Sequence, residues 1–183
     1  MTVPNVLTLL RILAIPFFAI AVWYGWLWEA LILFVAAGIT DLLDGWIARA
    51  FNQKTRLGAF LDPAADKLLM TTAFILMALP KGHLDHPIPA WVAILGISRD
   101  VLISFVVVIA MVRNEGSNMR PSVLGKFTTG AELVAIGFGL LVNAQGDRGW
   151  HRFVVPWVWY AMAAFVLASG IHYYFRTNRE HSA

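Results

Sequence analysis

Four aspartates in a strongly apolar chain have a spacing that points to chemistry. Asp41, Asp44, Gly45, Ala48 and Arg49 fall within nine residues, and Gly58, Asp62, Asp66 and Lys67 follow after a short connection. Asp41 and Asp44 are spaced i,i+3, and Asp62 and Asp66 i,i+4, so on helices each pair shares one face. Consecutive helices joined by so short a connection are neighbours, and their facing ends bring the four carboxylates together. In a spanning helix each aspartate costs about 2.5–3.5 kcal/mol at the bilayer centre and less near the interface. Two like charges about 5 Å apart add roughly 3 kcal/mol at an effective dielectric of 20. Protonation relieves the repulsion, whereas a divalent cation relieves it and also supplies attraction. An all-carboxylate set favours Mg²⁺, Mn²⁺ or Ca²⁺, and two such ions across four carboxylates suit displacement at phosphorus.

Gly45 and Gly58 leave helix surface bare where a ligand can approach; close helix packing is the competing reading. Arg49, one turn beyond Asp44 and Gly45, can pair with a phosphate or anchor the helix at the membrane surface.

The elements that hold these residues follow from composition. Hydrophobic residues make up 59% of the 183-residue chain, charged residues 14%, and the mean hydropathy is +0.68. That balance excludes an ordinary soluble domain. Apolar blocks about 20 residues long, the length that spans a bilayer as helix, predict an all-α, six-transmembrane-helix bundle forming one domain over residues 1–183. The spans fall at 7–26, 27–49, 59–79, 89–112, 124–143 and 153–175, with short polar or helix-breaking connections that make neighbours antiparallel. The chain has no cysteine, so disulfides and thiolate chemistry are excluded. The net charge of +3 is too small to imply a nucleic-acid partner. The first apolar block lacks a basic leader and a clear cleavage site and reads as a retained span.

Nine basic residues (Arg11, Arg49, Lys54, Arg56, Arg113, Arg120, Lys126, Arg176 and Arg179) fall on one side of this topology. Three, Lys81, Arg148 and Arg152, fall on the other, and Lys67 and Arg99 lie inside apolar blocks. The positive-inside rule then puts both termini and the carboxylates on the cytoplasmic side. Trp26, Trp28, Trp91, Trp150 and Trp157 lie near span ends, as an interfacial belt or as lipid-facing filler. Near the start, Asn5 is a candidate helix cap. Arg11 must snorkel or meet an anionic group, and Pro16 marks a possible bend between an interfacial helix and a span.

The acidic segment resembles the signature of the CDP-alcohol phosphotransferase family, D-x-x-D-G-x-x-A-R, eight residues, G-x-x-x-D-x-x-x-D. Asp41, Asp44, Gly45, Ala48, Arg49, Gly58, Asp62 and Asp66 match it at every fixed position. The resemblance implies that Asp41, Asp44, Asp62 and Asp66 ligate two Mg²⁺ or Mn²⁺ ions and that Asp66 is also the catalytic base. It implies that Gly45, Ala48 and Arg49, with Gly58, form the CDP-binding surface. It further implies a phospholipid-biosynthetic enzyme of a bacterial inner membrane, with a homodimer as the family's assembly. The expected donor is CDP-diacylglycerol. Membrane prenyltransferases with paired D-x-x-x-D motifs, and cation channels, are the readings from other classes; CMP release separates the first and uptake of a cation without lipid substrate the second.

The acceptor is read from Arg99, Arg120 and Lys126, a possible anion pocket that favours a phosphate-bearing alcohol over choline, ethanolamine or serine. Positive-inside anchoring competes for Arg120, and an ion pair with Asp100 or Glu132 competes for Arg99. Residues 4–11 and 57–67 look like the branch of the family that uses sn-glycerol 3-phosphate. Gly125, Lys126, Phe127, Thr128 and Thr129 lack that branch's second lysine. Ser98, Arg99 and Asp100, with Arg120, Pro121 and Ser122, look more like the cardiolipin-forming branch, whose acceptor is phosphatidylglycerol.

Overall fold

The computed structural model describes residues 3–50, 56–79, 84–112 and 123–180. They form six α-helices: α1 (Val3–Trp23), α2 (Leu27–Ala50), α3 (Arg56–Ala78), α4 (Ala90–Val112), α5 (Val123–Gln145) and α6 (His151–Glu180). Packed pairs trace the ring α1, α2, α5, α6, α4, α3 and back to α1, with α3 also touching α5. The α2–α3 connection lies at one end of the bundle. The α1–α2, α3–α4 and α5–α6 connections lie at the other.

Two expectations for the first helix change. α1 runs through Pro16 without interruption, and it begins before Asn5, so Asn5 lies inside the helix and is buried instead of capping it. A proline is tolerated in an apolar helix when neighbouring helices compensate the lost bond. α1 stops three residues short of the expected end because Gly25 adopts φ 77°. There Gly25 N–H donates to the Val22 carbonyl and Trp26 N–H to that of Ala21, a Schellman closure that needs the left-handed residue.

The core is a column of large side chains, Phe18, Phe34, Met70, Phe74, Met77, Ile136, Leu140 and Trp159, drawn from α1, α2, α3, α5 and α6. Close approach of α5 to α6 depends on Gly139, where an added Cβ would fall 2.6 Å from Trp159 Cη2. Outside the core the apolar surface is extensive: Leu13, Phe17, Ile32, Phe105, Val134, Phe153 and Trp157 all point outward. Such a surface fits lipid as the solvent. Among the described residues, three helices, α1, α5 and α6, are long and apolar enough to cross a membrane. Asp41 and Asp44 lie in α2, Asp62, Asp66 and Lys67 in α3, and Arg99 and Asp100 in α4.

Trp23, Trp26, Trp28, Trp91, Trp150 and Trp157 are all exposed, and all lie at the end away from the α2–α3 connection. This distribution is that of an interfacial belt.

Candidate active site

The aspartates stand where their helices meet. Asp41 sits in the second half of α2, Asp62 and Asp66 in the first half of α3, and α1 packs against both helices. One face of α1 organises them. Asn5, Thr8 and Arg11, spaced i,i+3, are all buried. Arg11 Nη1 donates to Asp41 Oδ1 at 2.6 Å, and Thr8 Oγ1 donates to Asp62 Oδ1 at 2.5 Å. Arg11 is only 2% exposed, so of the two expected fates it meets an anionic group. Asp66 lies within electrostatic reach of Asp41, Asp100, Lys67 and Arg11. Asp41 and Asp66, 25 positions apart, are thus brought to one region.

A second layer of charge surrounds the first. Asp100 in α4 accepts from Lys67 Nζ at 2.7 Å and from Arg99 Nη1 at 2.7 Å. Lys67 is therefore a counter-charge for Asp100. Arg99 is buried, and its Nη2 also donates to Ser169 Oγ at 3.1 Å and to the Gly125 carbonyl at 3.3 Å. It ties α4 to α5 and α6. Of its two expected structural partners it has taken Asp100. Glu132, fully buried in α5, lies within electrostatic reach of Asp100, Arg99, Lys67 and Asp66, with neither carboxylate oxygen hydrogen-bonded among the described residues. A cavity of about 360 Å³ opens between α3 and α4, with Lys67, Asp100 and Ser104 as its polar side and Val101 and Phe105 as its apolar wall.

Other expected site residues are placed less fully. Asp44, Gly45, Ala48 and Arg49 belong to α2 and Lys126 to α5, but their side chains lie outside the described residues. Arg120 lies outside the described residues altogether. Gly58 is buried in the first turn of α3. Helix register puts Asp44 on the same face as Asp41.

The donor set, carboxylate oxygens only, is of the type that a hard divalent cation prefers. Arg11 bonds Oδ1 of Asp41 and Thr8 bonds Oδ1 of Asp62, hydrogen bonds that orient these carboxylates as outer partners orient metal ligands. In donor type alone the residues present suit the expected ions. Among the described residues, the one group of three ligand-type side chains with all its ligand atoms within 4.8 Å of one another lies elsewhere, at His86, Asp147 and His151.

Thr8, Asp100 and Glu132 take places that the motif alone did not assign. The signals for them were the i,i+3 polar stripe in an otherwise apolar α1 and two acids isolated in apolar blocks, each costly in lipid unless used.

A helical bundle with a lipid-facing surface and carboxylates gathered at one end is the class of protein that fold and site define. A family model described as CDP-alcohol phosphatidyltransferase matches residues 1–170. The chain belongs to that family. Among its relatives, one from Shigella flexneri serotype 5b is 32% identical over 177 residues, 93% of this chain and 92% of its own. One from Haemophilus influenzae is 38% identical over 145 residues (76% and 75%), and one from Escherichia coli K12 is 35% identical over 142 residues (74% and 75%). All three are named CDP-diacylglycerol--glycerol-3-phosphate 3-phosphatidyltransferase.

Proposed function

We propose that this chain transfers the phosphatidyl group of CDP-diacylglycerol to sn-glycerol 3-phosphate, giving phosphatidylglycerophosphate and CMP. The observation that carries it is the family match together with relatives of that name aligned over as much as 93% of the chain. The acidic cluster is chemically suited to the reaction. Bound Mg²⁺ or Mn²⁺, held by Asp41, Asp44, Asp62 and Asp66, would supply neutralisation of the pyrophosphate and of the charge that builds on departing CMP. Arg11 and Thr8 hold the carboxylates of Asp41 and Asp62 in place. Asp66 takes the proton of the acceptor hydroxyl. That oxygen bonds to the phosphorus carrying diacylglycerol, and the bond from that phosphorus to the CMP oxygen breaks. Gly45, Ala48, Arg49 and Gly58 form the CDP surface, with Arg49 facing phosphate charge.

Arg120 and Lys126 are the acceptor-binding residues in this reading. Arg99, engaged by Asp100, Ser169 and Gly125, ties α4 to α5 and α6. The reading extends to one domain over 1–183, six spans, a homodimer as in the family, and a bacterial inner membrane with the aspartates and both termini cytoplasmic. The nine-to-three distribution of basic residues supports that orientation.

The test is a product assay on purified enzyme with CDP-diacylglycerol and a panel of acceptors. Radiolabel from glycerol 3-phosphate should enter lipid with stoichiometric CMP release. Cardiolipin formed from added phosphatidylglycerol, with glycerol 3-phosphate ignored, would replace the acceptor and leave the metal chemistry standing.

A further inference from the structure

At the end of the bundle opposite the aspartates, two connections far apart in sequence place three ligand-type side chains together. His86 comes from the α3–α4 connection, Asp147 from the α5–α6 connection, and His151 from the first turn of α6. One ligand atom from each lies within 4.8 Å of the other two, and His86 Nε2 stands 3.6 Å from Asp147 Oδ1. The two imidazoles meet edge to face with centroids 5.6 Å apart.

Two of these side chains have unused nitrogens. His151 is 0% exposed, and among the described residues neither its Nδ1 nor its Nε2 has a hydrogen-bond partner; His86 Nε2 is also buried and without a hydrogen bond among them. A buried imidazole with both nitrogens idle is poorly explained as packing, because polar groups taken from water are normally bonded.

The surroundings hold the three residues in place. Asn143 grips the His86 backbone at both polar atoms, accepting from its N–H at 2.8 Å and donating to its carbonyl at 3.0 Å. Arg152 donates twice to Asp147 Oδ2, leaving Oδ1 turned toward His86 with a bond from Gly149 N–H. The turn that presents Asp147 is built on Gly146 and Gly149 at φ 72° and 64°. Orienting contacts of this kind are what the outer shell of a metal site supplies.

We propose that His86, Asp147 and His151 form a Zn²⁺ site that clips the α3–α4 connection to the start of α6. Two imidazole nitrogens and one carboxylate oxygen are a borderline donor set, suited to Zn²⁺ and poorly matched to Mg²⁺, which prefers oxygen. A tetrahedral zinc site sets its donors roughly 3.3 Å apart, close to the 3.6 Å between His86 Nε2 and Asp147 Oδ1. The adjoining cavity of about 210 Å³, bordered by His86, Asp85 and Arg152, has room for a water as fourth ligand. The aspartates and this cluster thus select different metals at the two ends of one bundle.

The test uses the full chain, purified in detergent, stripped of metal and returned to buffer with excess Mg²⁺ to occupy the aspartates. Wild type should bind about one equivalent of Zn²⁺. Its thermal midpoint should rise by about 5 °C at zinc concentrations a hundredfold above Kd. Co²⁺ in place of Zn²⁺ should give the visible absorption of a tetrahedral site. His86→Ala and Asp147→Asn, which alter residues with some solvent access and so threaten folding less than a change at His151, should each lose the ion, the spectrum and the midpoint shift. Asp66→Asn should keep all three. No zinc bound by wild type, retention by either cluster variant, or loss in Asp66→Asn overturns the proposal.

Discussion

The two ends of the bundle handle charge differently. At the α2–α3 end the acids belong to helices, in i,i+3 and i,i+4 pairs, and a third helix reaches them through Thr8 and Arg11. At the other end the ionisable groups sit on connections or in the first turns of α2 and α6, and the helix ends there carry exposed tryptophans. There Arg152 bonds Asp147 in the open, which holds that carboxyl below its ordinary range. Helical carboxylates in lipid are expensive and persist where a cation or chemistry uses them. Charges on connections reach water and cost little, so that end is free to serve anchoring and stability. The comparison therefore assigns turnover to one end and folding to the other.

The largest test removes the metal or a ligand. EDTA should abolish CMP release, and Mg²⁺ or Mn²⁺ should restore it. Asp41→Asn, Asp44→Asn, Asp62→Asn and Asp66→Asn should each lose at least about 10²-fold in rate, the lower end of what losing a general base costs. Wild-type turnover by a folded variant would break the assignment of that residue.

Next comes Arg99, which sits between the two layers of charge. Arg99→Met leaves buried Asp100 with Lys67 alone and removes the ties to Ser169 and Gly125. We expect a loss of about 3 kcal/mol in stability, read as a lowered thermal midpoint, with an unchanged acceptor KM in protein that remains folded. A raised acceptor KM without destabilisation would return Arg99 to the anion pocket. Arg120→Ala and Lys126→Ala should do the reverse. Their acceptor KM should rise about tenfold to a hundredfold, the equivalent of roughly 1.5–3 kcal/mol for a charge-assisted contact, with little change in midpoint.

Gly139→Ala sharpens the contrast from the α5–α6 contact. The added methyl meets the Trp159 ring, and overpacking of this kind costs about 2 kcal/mol. Thermal unfolding should register it while the rate of the folded fraction stays unchanged. The smallest effect is expected from Thr8→Val, which keeps shape and deletes the bond to Asp62. The Mg²⁺ concentration for half-maximal activity should rise about tenfold, the low end of what losing an outer hydrogen bond to a metal ligand costs. An unchanged metal requirement would mean that Thr8 serves packing alone.

What the sequence determined by itself is whatever the helix period and the bilayer impose. Six apolar blocks became six helices, with ends shifted by a few residues at caps such as Gly25. The helical spacing of Asp41 with Asp44 and of Asp62 with Asp66 follows from 3.6 residues per turn, so the placement of each pair on one helix was legible from spacing alone. Partner choice between distant segments was not. Nothing local says that Arg11 meets Asp41 across 30 positions, that Lys67 meets Asp100 across 33, or that Asn143 holds the backbone of His86. Nor does any motif join His86 to Asp147 and His151, because the link is made where the α3–α4 and α5–α6 connections meet. Those contacts depend on which helices become neighbours around the ring, and that order is set by packing of whole faces, such as Gly139 against Trp159, which no short stretch of sequence encodes.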